Sequence, residues 1–354
     1  MKKTIKVWSF LLATLLMVLP LAGCGGTASS RDESSQQTPS SSQPDASLPD
    51  ASLPEAEKTQ INVIGLKGPT ALGMLQVMEK NEAGEAANDY TISLAGAPDE
   101  ITGKLISGEV DIAAVPTNLA SVLYNKTEGG VKLLALNTLG VLYMVTKNEQ
   151  VASVADLKGK TVYATGEGST PQYALEYILR QNGLEPGSDV EIVYKSEHSE
   201  ILPLMLNGEV TVALLPQPFV TQALAKDEGI QVALNMTEEW DKCVNGQSQL
   251  TMGCVVVRTA FLEENKEAVD RFLEEYAASV EFVNGHVEEA AALSGKFEVI
   301  AQEVAAKAIP ACNIVFWEGE PMKKAAEGFL NVLFQANPQS VGGKLPDEGF
   351  YYEK

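Results

Sequence analysis

Short apolar runs, as in buried strands, alternate along most of the chain with longer segments of helical periodicity. Such alternation predicts right-handed β-α-β units, and therefore open, mostly parallel sheets covered by helices on both faces. The predicted fold class is α/β. The predicted strands are 61–66, 90–94, 111–115, 132–138, 142–147, 161–165, 191–194, 210–215, 231–235 and 250–257.

One pattern occurs twice, one hundred residues apart. Residues 100–116 read EITGKLISGEVDIAAVP, and residues 200–216 read EILPLMLNGEVTVALLP. Each copy predicts a helix, a glycine that ends it, a buried strand and a proline. Upstream, the tripeptides that begin at Gly68 and Gly168 occupy equivalent positions before helical segments. A repeat about one small domain long predicts two lobes with the same plan.

The predicted lobes are discontinuous in sequence. The first comprises residues 59–147 and 250–354, and the second, 148–249, is inserted into it. One strand leaving the first lobe and one returning to it predict a two-strand hinge. We expect the helices after residue 260 to pack on the first lobe and the C-terminal tail to be exposed.

The N-terminal residues carry a targeting pattern. Three lysines precede an apolar run too short to span a membrane comfortably, and residues 21–24 read LAGC. This pattern predicts a lipoprotein signal peptide over 1–23 with lipid attached to Cys24; an ordinary secretory signal is the alternative. Residues 24–58 are rich in Ser, Gln, Pro and Asp, and we expect a disordered tether.

The net charge constrains the possible partners. It is −21 for the whole chain, and removal of the three N-terminal lysines makes it −24. A surface this acidic repels nucleic acid and anionic lipid headgroups. Membrane attachment therefore depends on the lipid attached to the protein. Nothing in the sequence requires an oligomer, and a monomer is expected.

Catalytic and metal-binding patterns are absent from the sequence. There are two histidines, His198 and His286, and each is expected to be a helix cap or exposed. We therefore predict no catalytic residue, metal or cofactor. Of the three cysteines beyond Cys24, a disulfide between Cys254 and Cys312 is favoured if any forms, and three buried thiols are the alternative.

Polar loops follow four of the predicted strands. In an open parallel sheet the carboxyl ends of the strands carry the binding site, and helix N-termini there offer N–H groups to a ligand. The predicted ligand-binding residues are Gly68, Pro69, Thr70, Thr117, Asn118, Gly168, Ser169, Thr170 and Gln217. Alternatively, Ser169 and Thr170 simply cap their own helix.

Few charged or aromatic side chains accompany these loops. The chain has four arginines, none of them in a candidate loop, so no guanidinium clamp for an anion is indicated. Lys67 is the best-placed cation, although a solvated side chain is the simpler interpretation. The aromatic residues Tyr143, Phe219 and Trp240 are candidates to contact a ligand or to pack in the core.

Several segments together resemble one protein family. They are the LAGC site, the tether, the paired GEVxxAxxP segments, and the sequences GEGSTPQYAL, LPQPFVTQAL and MGCVVVRTAFLEENKEAVDRFLEEYAASVEFVN. The chain resembles the solute-binding lipoproteins of bacterial ABC importers, in the branch that binds nitrate, taurine, alkanesulfonates and thiamine-pyrimidine precursors.

This resemblance implies a type II periplasmic-binding fold whose two lobes clamp a small molecule. It also implies partners, namely a membrane permease and its cytoplasmic ATPase, and an extracytoplasmic location at the bacterial cell membrane. Two alternatives remain: an enzyme on the same fold, as in menaquinone or pyrimidine pathways, and a ligand-sensing lipoprotein without a transporter.

Overall fold

The computed structural model describes residues 58–354; the predicted signal peptide, Cys24 and nearly all of the predicted tether lie outside them. The strands are β1 Gln60–Leu66, β2 Asp89–Ala95, β3 Ile112–Pro116, β4 Val131–Leu139, β5 Leu142–Lys147, β6 Thr161–Thr165, β7 Glu191–Lys195, β8 Val212–Pro216, β9 Ile230–Asn235, β10 Thr251–Arg258 and β11 Ile314–Trp317. The helices are α1 Pro69–Leu72, α2 Leu75–Glu82, α3 Pro98–Ser107, α4 Thr117–Lys126, α5 Thr170–Gln181, α6 His198–Leu206, α7 Phe219–Lys226, α8 Met236–Val244, α9 Thr259–Glu264, α10 Lys266–Gly285, α11 Val287–Lys296, α12 Gln302–Ala308 and α13 Gly319–Ala336.

The strands form two sheets, which confirms the α/β class. We call the part built on the six-stranded sheet, β11-β4-β10-β3-β1-β2, the first lobe. The part built on the five-stranded sheet, β7-β6-β8-β5-β9, is the second lobe. Most strands of each sheet run in one direction, and the reversed strands are β10 and β11 in the first lobe and β5 in the second.

The predicted repeat is visible in the topology. The order β2-β1-β3 of parallel strands in the first lobe matches β7-β6-β8 in the second. The equivalent helices α3 and α6 both end near a glycine with positive φ, Gly108 at 79° and Gly208 at 77°. The next two amides then donate to one carbonyl, that of Lys104 or of Leu204. Only glycine adopts this left-handed conformation at little cost, which explains its recurrence.

The crossing between the lobes differs from the predicted boundary. We expected 142–147 to close the first lobe as a hinge strand, but β5 pairs with β8 and β9 inside the second sheet. The chain therefore leaves the first lobe at Gly140 and Val141, and it returns just before β10. These connections touch, because a Cβ on Gly140 would lie 3.2 Å from Leu250 Cδ2.

The C-terminal region contains β11 and three short 3-10 helices that the periodicity missed, at Ile309–Ala311, Pro338–Val341 and Glu348–Phe350. The prediction of an exposed tail is wrong, since Phe350, Tyr351 and Tyr352 are buried. The Tyr352 amide donates to Leu133 O at 3.0 Å, which adds the tail to the side of β4. Three aromatic side chains at the terminus provide apolar area large enough to hold the tail on the lobe.

The hydrophobic core separates the cysteines. Cys254 lies in the cluster that includes residues of both sheets, whereas Cys312 lies in the cluster under α2, α10 and α11. Both are free thiols, as is Cys243, so the favoured disulfide between Cys254 and Cys312 is wrong. Burial raises the pKa of both buried thiols, that of Cys312 to about 12, which makes them poor nucleophiles.

Candidate ligand-binding site

The candidate loops lie at the carboxyl ends of parallel strands. Gly68 follows β1 and Thr117 follows β3, while Ser169 follows β6 and Gln217 follows β8. A helix begins at or directly after each loop, namely α1, α4, α5 and α7. Helix N-termini from both lobes therefore lie at the sheet edges that the sequence predicted.

In the first lobe, Thr70 is held by its own loop and by a neighbouring strand. Its Oγ1 donates to Leu66 O at 2.8 Å, and its carbonyl accepts from Asn137 Nδ2 at 3.1 Å. This arrangement requires Gly253 on β10, because a Cβ there would lie 2.5 Å from Thr70 Cγ2. Gly68 has φ of 124°, a value at which a side chain is strained, so the loop is specific for glycine.

In the second lobe, the Gly168 loop is closed by internal hydrogen bonds. Ser169 Oγ donates to Gly166 O at 2.8 Å, and Gly168 N donates to Gln172 Oε1 at 2.6 Å. Neither Ser169 nor Thr170 caps α5 through its side chain. The simple capping interpretation therefore does not describe either hydroxyl.

One pair of predicted site residues joins the lobes. Thr170 Oγ1, in the second lobe, donates to Asn118 Oδ1, in the first lobe, at 3.1 Å. Asn118 Nδ2 lies 3.5 Å from Gly168 O and donates to Ser340 O at 3.0 Å. Both side chains are fully buried, so the loop after β3 and the loop after β6 are in direct contact.

Two further predicted residues, Thr117 and Gln217, are also buried. Gln217 Oε1 accepts from Thr221 Oγ1 at 2.8 Å, which fixes its amide against α7. Thr117 is 1% exposed, and its Oγ1 has no hydrogen-bond partner within residues 58–354. A buried hydroxyl without an N or O partner loses its hydrogen bonds to water; the thiol of Cys254 is its polar neighbour.

The structure adds His198, which sequence reasoning placed as a cap or in solvent. Glu197 occupies the N-cap position of α6 instead. The imidazole contacts the hydroxyl of Thr165 at the end of β6 and packs on Phe219, with ring centroids 4.7 Å apart. Burial lowers its pKa to about 4. A neutral imidazole thus lies at the same sheet edge as the candidate loops; its position at the predicted start of a helix was the only signal in the sequence.

The remaining charged and aromatic candidates differ in whether they are free to contact a ligand. The three arginines of the described part are engaged elsewhere, in that Arg180, Arg258 and Arg271 contact Glu176, Asp111 and Asn88 respectively. Lys67 is exposed beside Gly68. Trp240 is a core residue between the rings of Tyr177 and Phe329.

Burial raises the pKa of Tyr143, which is half-buried on β5, so its phenol remains neutral near neutral pH. Among residues 58–354 there is no group of three or more His, Cys, Asp or Glu side chains placed to hold a metal ion. The predicted site consists mainly of neutral hydrogen-bond donors and acceptors. None of the predicted site residues carries a fixed positive charge. Such a set binds a ligand by shape and hydrogen bonds.

Solved structures share this fold. A structure described as an ABC transporter from Parabacteroides distasonis is 27% identical, with a TM-score of 0.69, and covers 84% of this chain and 100% of its own. The periplasmic aliphatic sulphonate binding protein SsuA from Escherichia coli is 16% identical, with a TM-score of 0.67, over 84% of this chain and 93% of its own. The two-lobed periplasmic-binding fold is thus confirmed.

Sequence relatives point the same way. A Brucella abortus (strain 2308) protein whose name describes it as a binding protein is 24% identical over 176 residues, 49% of this chain and 52% of the relative. This chain thus spans about half the length of the curated relatives it matches. These relatives and neighbours are named as binding proteins or transporter components, not as enzymes. Residues 94–296 match the NMT1-like family, and because this match covers more than half of the chain, the protein belongs to the NMT1-like family.

Proposed function

We propose that this protein is an extracytoplasmic, membrane-tethered solute-binding protein of an ABC importer. The observation that carries the proposal is the contact between Thr170 and Asn118, at which loops from the carboxyl ends of both sheets meet. The names of the relatives and structural neighbours support the same class. The enzyme alternative has no such support.

The proposed mechanism is closure of the two lobes around a small molecule. The ligand-binding residues are the predicted set, to which we add His198. A ligand that contacts both lobes gains all of its interactions only when they are closed, so its binding shifts the population towards the closed state. The two connections at Gly140 and before β10 serve as the hinge in this scheme.

The chemistry of the loops favours a ligand without strong negative charge. All arginines of the described part are engaged elsewhere, and the neutral imidazole of His198 adds no positive charge. A neutral or zwitterionic heteroaromatic compound matches this set, as does a monoanion held by backbone N–H groups at the helix N-termini. Hydrogen bonds to Thr117 and Gln217 then supply the specificity.

Attachment and partners complete the proposal. Cys24 is proposed to carry the lipid, and residues 24–58 to act as the tether that lets the lobes reach a permease with a cytoplasmic ATPase. The described residues contain no helix long and apolar enough to cross a membrane. We expect the protein to act as a monomer; a sensor without a transporter remains the second reading.

A thermal-shift screen tests the binding function. Protein stripped of carried-over ligand by unfolding and refolding is screened against pyrimidines, thiamine-related compounds, sulfonates, nitrate and amino acids. A ligand present at one hundred times its Kd stabilises the native state by about 2.7 kcal/mol, which raises the melting temperature.

Thr117→Val and Gln217→Ala are expected to abolish the shift, and Thr211→Ala, at an exposed position of the second lobe, to keep it. No saturable shift with any class would contradict the proposed function. A shift that survives both site changes would contradict the proposed site.

A further inference from the structure

Asn118 lies where three parts of the chain meet. Its Nδ2 donates to Ser340 O in the C-terminal segment, and its Oδ1 accepts from Thr170 in the second lobe. Gly168 O of the second lobe is also 3.5 Å from Nδ2. The side chain is fully buried. Both N–H groups and one acceptor position of the amide are therefore used within the protein.

The C-terminal segment determines how this amide is oriented. By the C-terminal segment we mean residues 338–349, which run along α4. Ser121 Oγ donates to Val341 O at 2.9 Å, and Asn125 Nδ2 donates to the same carbonyl at 2.8 Å. Further along, Tyr124 OH donates to Asp347 Oδ1 at 2.5 Å.

Successive turns of α4 thus hold the segment against the helix. An amide oriented by Ser340 O directs its nitrogen towards the C-terminal segment. The opposite end, Oδ1, then accepts from Thr170 in the second lobe, and a flipped amide would place Oδ1 against Ser340 O, so that two acceptors would face each other without a proton.

The repeat offers an internal comparison. Thr70 and Thr170 are equivalent in the two copies of the repeat, and both are buried at the first residues of a helix. Thr70 Oγ1 donates to Leu66 O within its own lobe. Only Thr170 directs its hydroxyl across to the other lobe.

We propose that the hydrogen bond from Thr170 to Asn118 is a latch that holds the two lobes closed before a ligand binds, with Ser340 as the group that positions Asn118. In this scheme Asn118 and Thr170, both members of the proposed ligand-binding set, also set the closed population. The consequence for uptake rests on the proposed function: a preclosed cleft must open to admit solute, so a weaker latch gives faster entry.

The test measures lobe separation in ligand-free protein. Small-angle scattering gives the radius of gyration. Spin labels on exposed positions of the two lobes, at Glu109 and Glu209, give a distance distribution, with Cys24 and Cys243 replaced by Ser in the full chain. Wild-type protein is expected to show mainly the closed distance, and Thr170→Val a second population with a larger radius of gyration. Loss of one buried hydrogen bond is expected to lower the ratio of closed to open protein by about threefold to tenfold.

Matched variants show whether the change in lobe separation comes from the loss of the Thr170 hydroxyl. Thr170→Ser keeps the hydroxyl and should restore the closed ratio, and Thr102→Val, which removes a hydroxyl that donates to Pro98 O within α3, should leave the distances unchanged. Asn118→Ala and Thr170→Val together should have a smaller effect than the sum of the two single changes, because both remove the Thr170–Asn118 hydrogen bond and Asn118→Ala alone removes the contacts with Ser340 O and Gly168 O.

An open wild-type protein, or a Thr170→Val protein with the wild-type distance distribution, would overturn the latch. Because no ligand enters the measurement, its failure is independent of the thermal-shift screen, and a negative screen leaves this result untouched.

Discussion

Asp111 shows how a single buried charge is accommodated in the repeat. It occupies the position of Thr211 in the other copy, but its side chain is buried. Oδ1 accepts from Arg258 Nη2 at 2.6 Å, and Oδ2 accepts from the backbone and side-chain nitrogens of Asn62 at 2.9 and 3.1 Å. The carboxylate therefore joins β1, β3 and β10.

Asp111→Ala is expected to lower the free energy of unfolding by about 3 kcal/mol, because removal of one partner leaves a partly buried guanidinium without its counter-charge. Urea denaturation at neutral pH measures the change. Thr211→Ala is the matched control at the exposed equivalent and should stay within about 0.5 kcal/mol of wild type. Equal effects of the two changes would show that the ion pair contributes nothing.

His198 makes stability depend on pH. Its pKa is about 4 in the folded protein, because burial disfavours the charged ring, and about 6.5 in the unfolded chain. Above pH 6.5 both states are neutral and the full stability is present. As the pH falls from 6.5 towards 4, only the unfolded chain takes up the proton, so stability is lost over this window.

At pH 4.5 this loss amounts to about 2–3 kcal/mol relative to pH 7. His198→Gln should therefore show a smaller decrease between these pH values than wild type, measured by urea denaturation at each pH. His286→Gln, at an exposed position, serves as the control and should keep the wild-type decrease. The prediction fails if both variants show the same pH dependence as wild type.

At the scale of elements, glycine controls how closely β10 approaches the first loop. A Cβ on Gly253 would lie 2.5 Å from Thr70 Cγ2 and 2.6 Å from Asn137 Oδ1, both of them buried. In α3, by contrast, a Cβ on Gly103 would meet nothing within 4 Å. The two glycines have different roles although both lie in regular elements.

Gly253→Ala is expected to destabilise the protein by about 1–3 kcal/mol through overpacking. Gly103→Ala should stabilise it by about 0.5–1 kcal/mol, because alanine reduces the entropy cost of forming the helix. Thermal unfolding of the two variants beside wild type checks both signs. A neutral Gly253→Ala would mean that α1 moves away from β10 without cost.

At the scale of the whole molecule, one hydrophobic cluster includes residues of both lobes. Leu136 of β4 and Val162 of β6 belong to it, and so does Phe329 of α13. Trp240 lies within this cluster, 5.0 Å from the ring of Tyr177 and 5.5 Å from that of Phe329. The C-terminal helix α13 thus shares its buried face with helices of the second lobe.

Because this core is shared, we expect residues 58–354 to unfold in a single transition. Differential scanning calorimetry should give one peak whose calorimetric and van't Hoff enthalpies agree. Two separated peaks, one for each lobe, would contradict this expectation.

Much of the candidate site was predictable because it depends on local patterns. Strand ends, glycines and helix starts identify the loops at Gly68, Thr117, Ser169 and Gln217, and parallel strands bring such ends to one edge. His198 was missed because its burial depends on Phe219, which belongs to a different helix. Sequence periodicity carries no information about that contact.

The sequence by itself determined the elements and their repetition. Local periodicity and helix-ending glycines determined the bounds of β6, the glycine that ends α3 and the equivalence of the two copies, since these depend on neighbours within a few residues. The tertiary structure alone decided that β5 joins the second sheet, that the C-terminal tail is buried, and that Asn118 meets both Thr170 and Ser340. Those outcomes depend on packing between segments far apart in sequence, which no local pattern encodes.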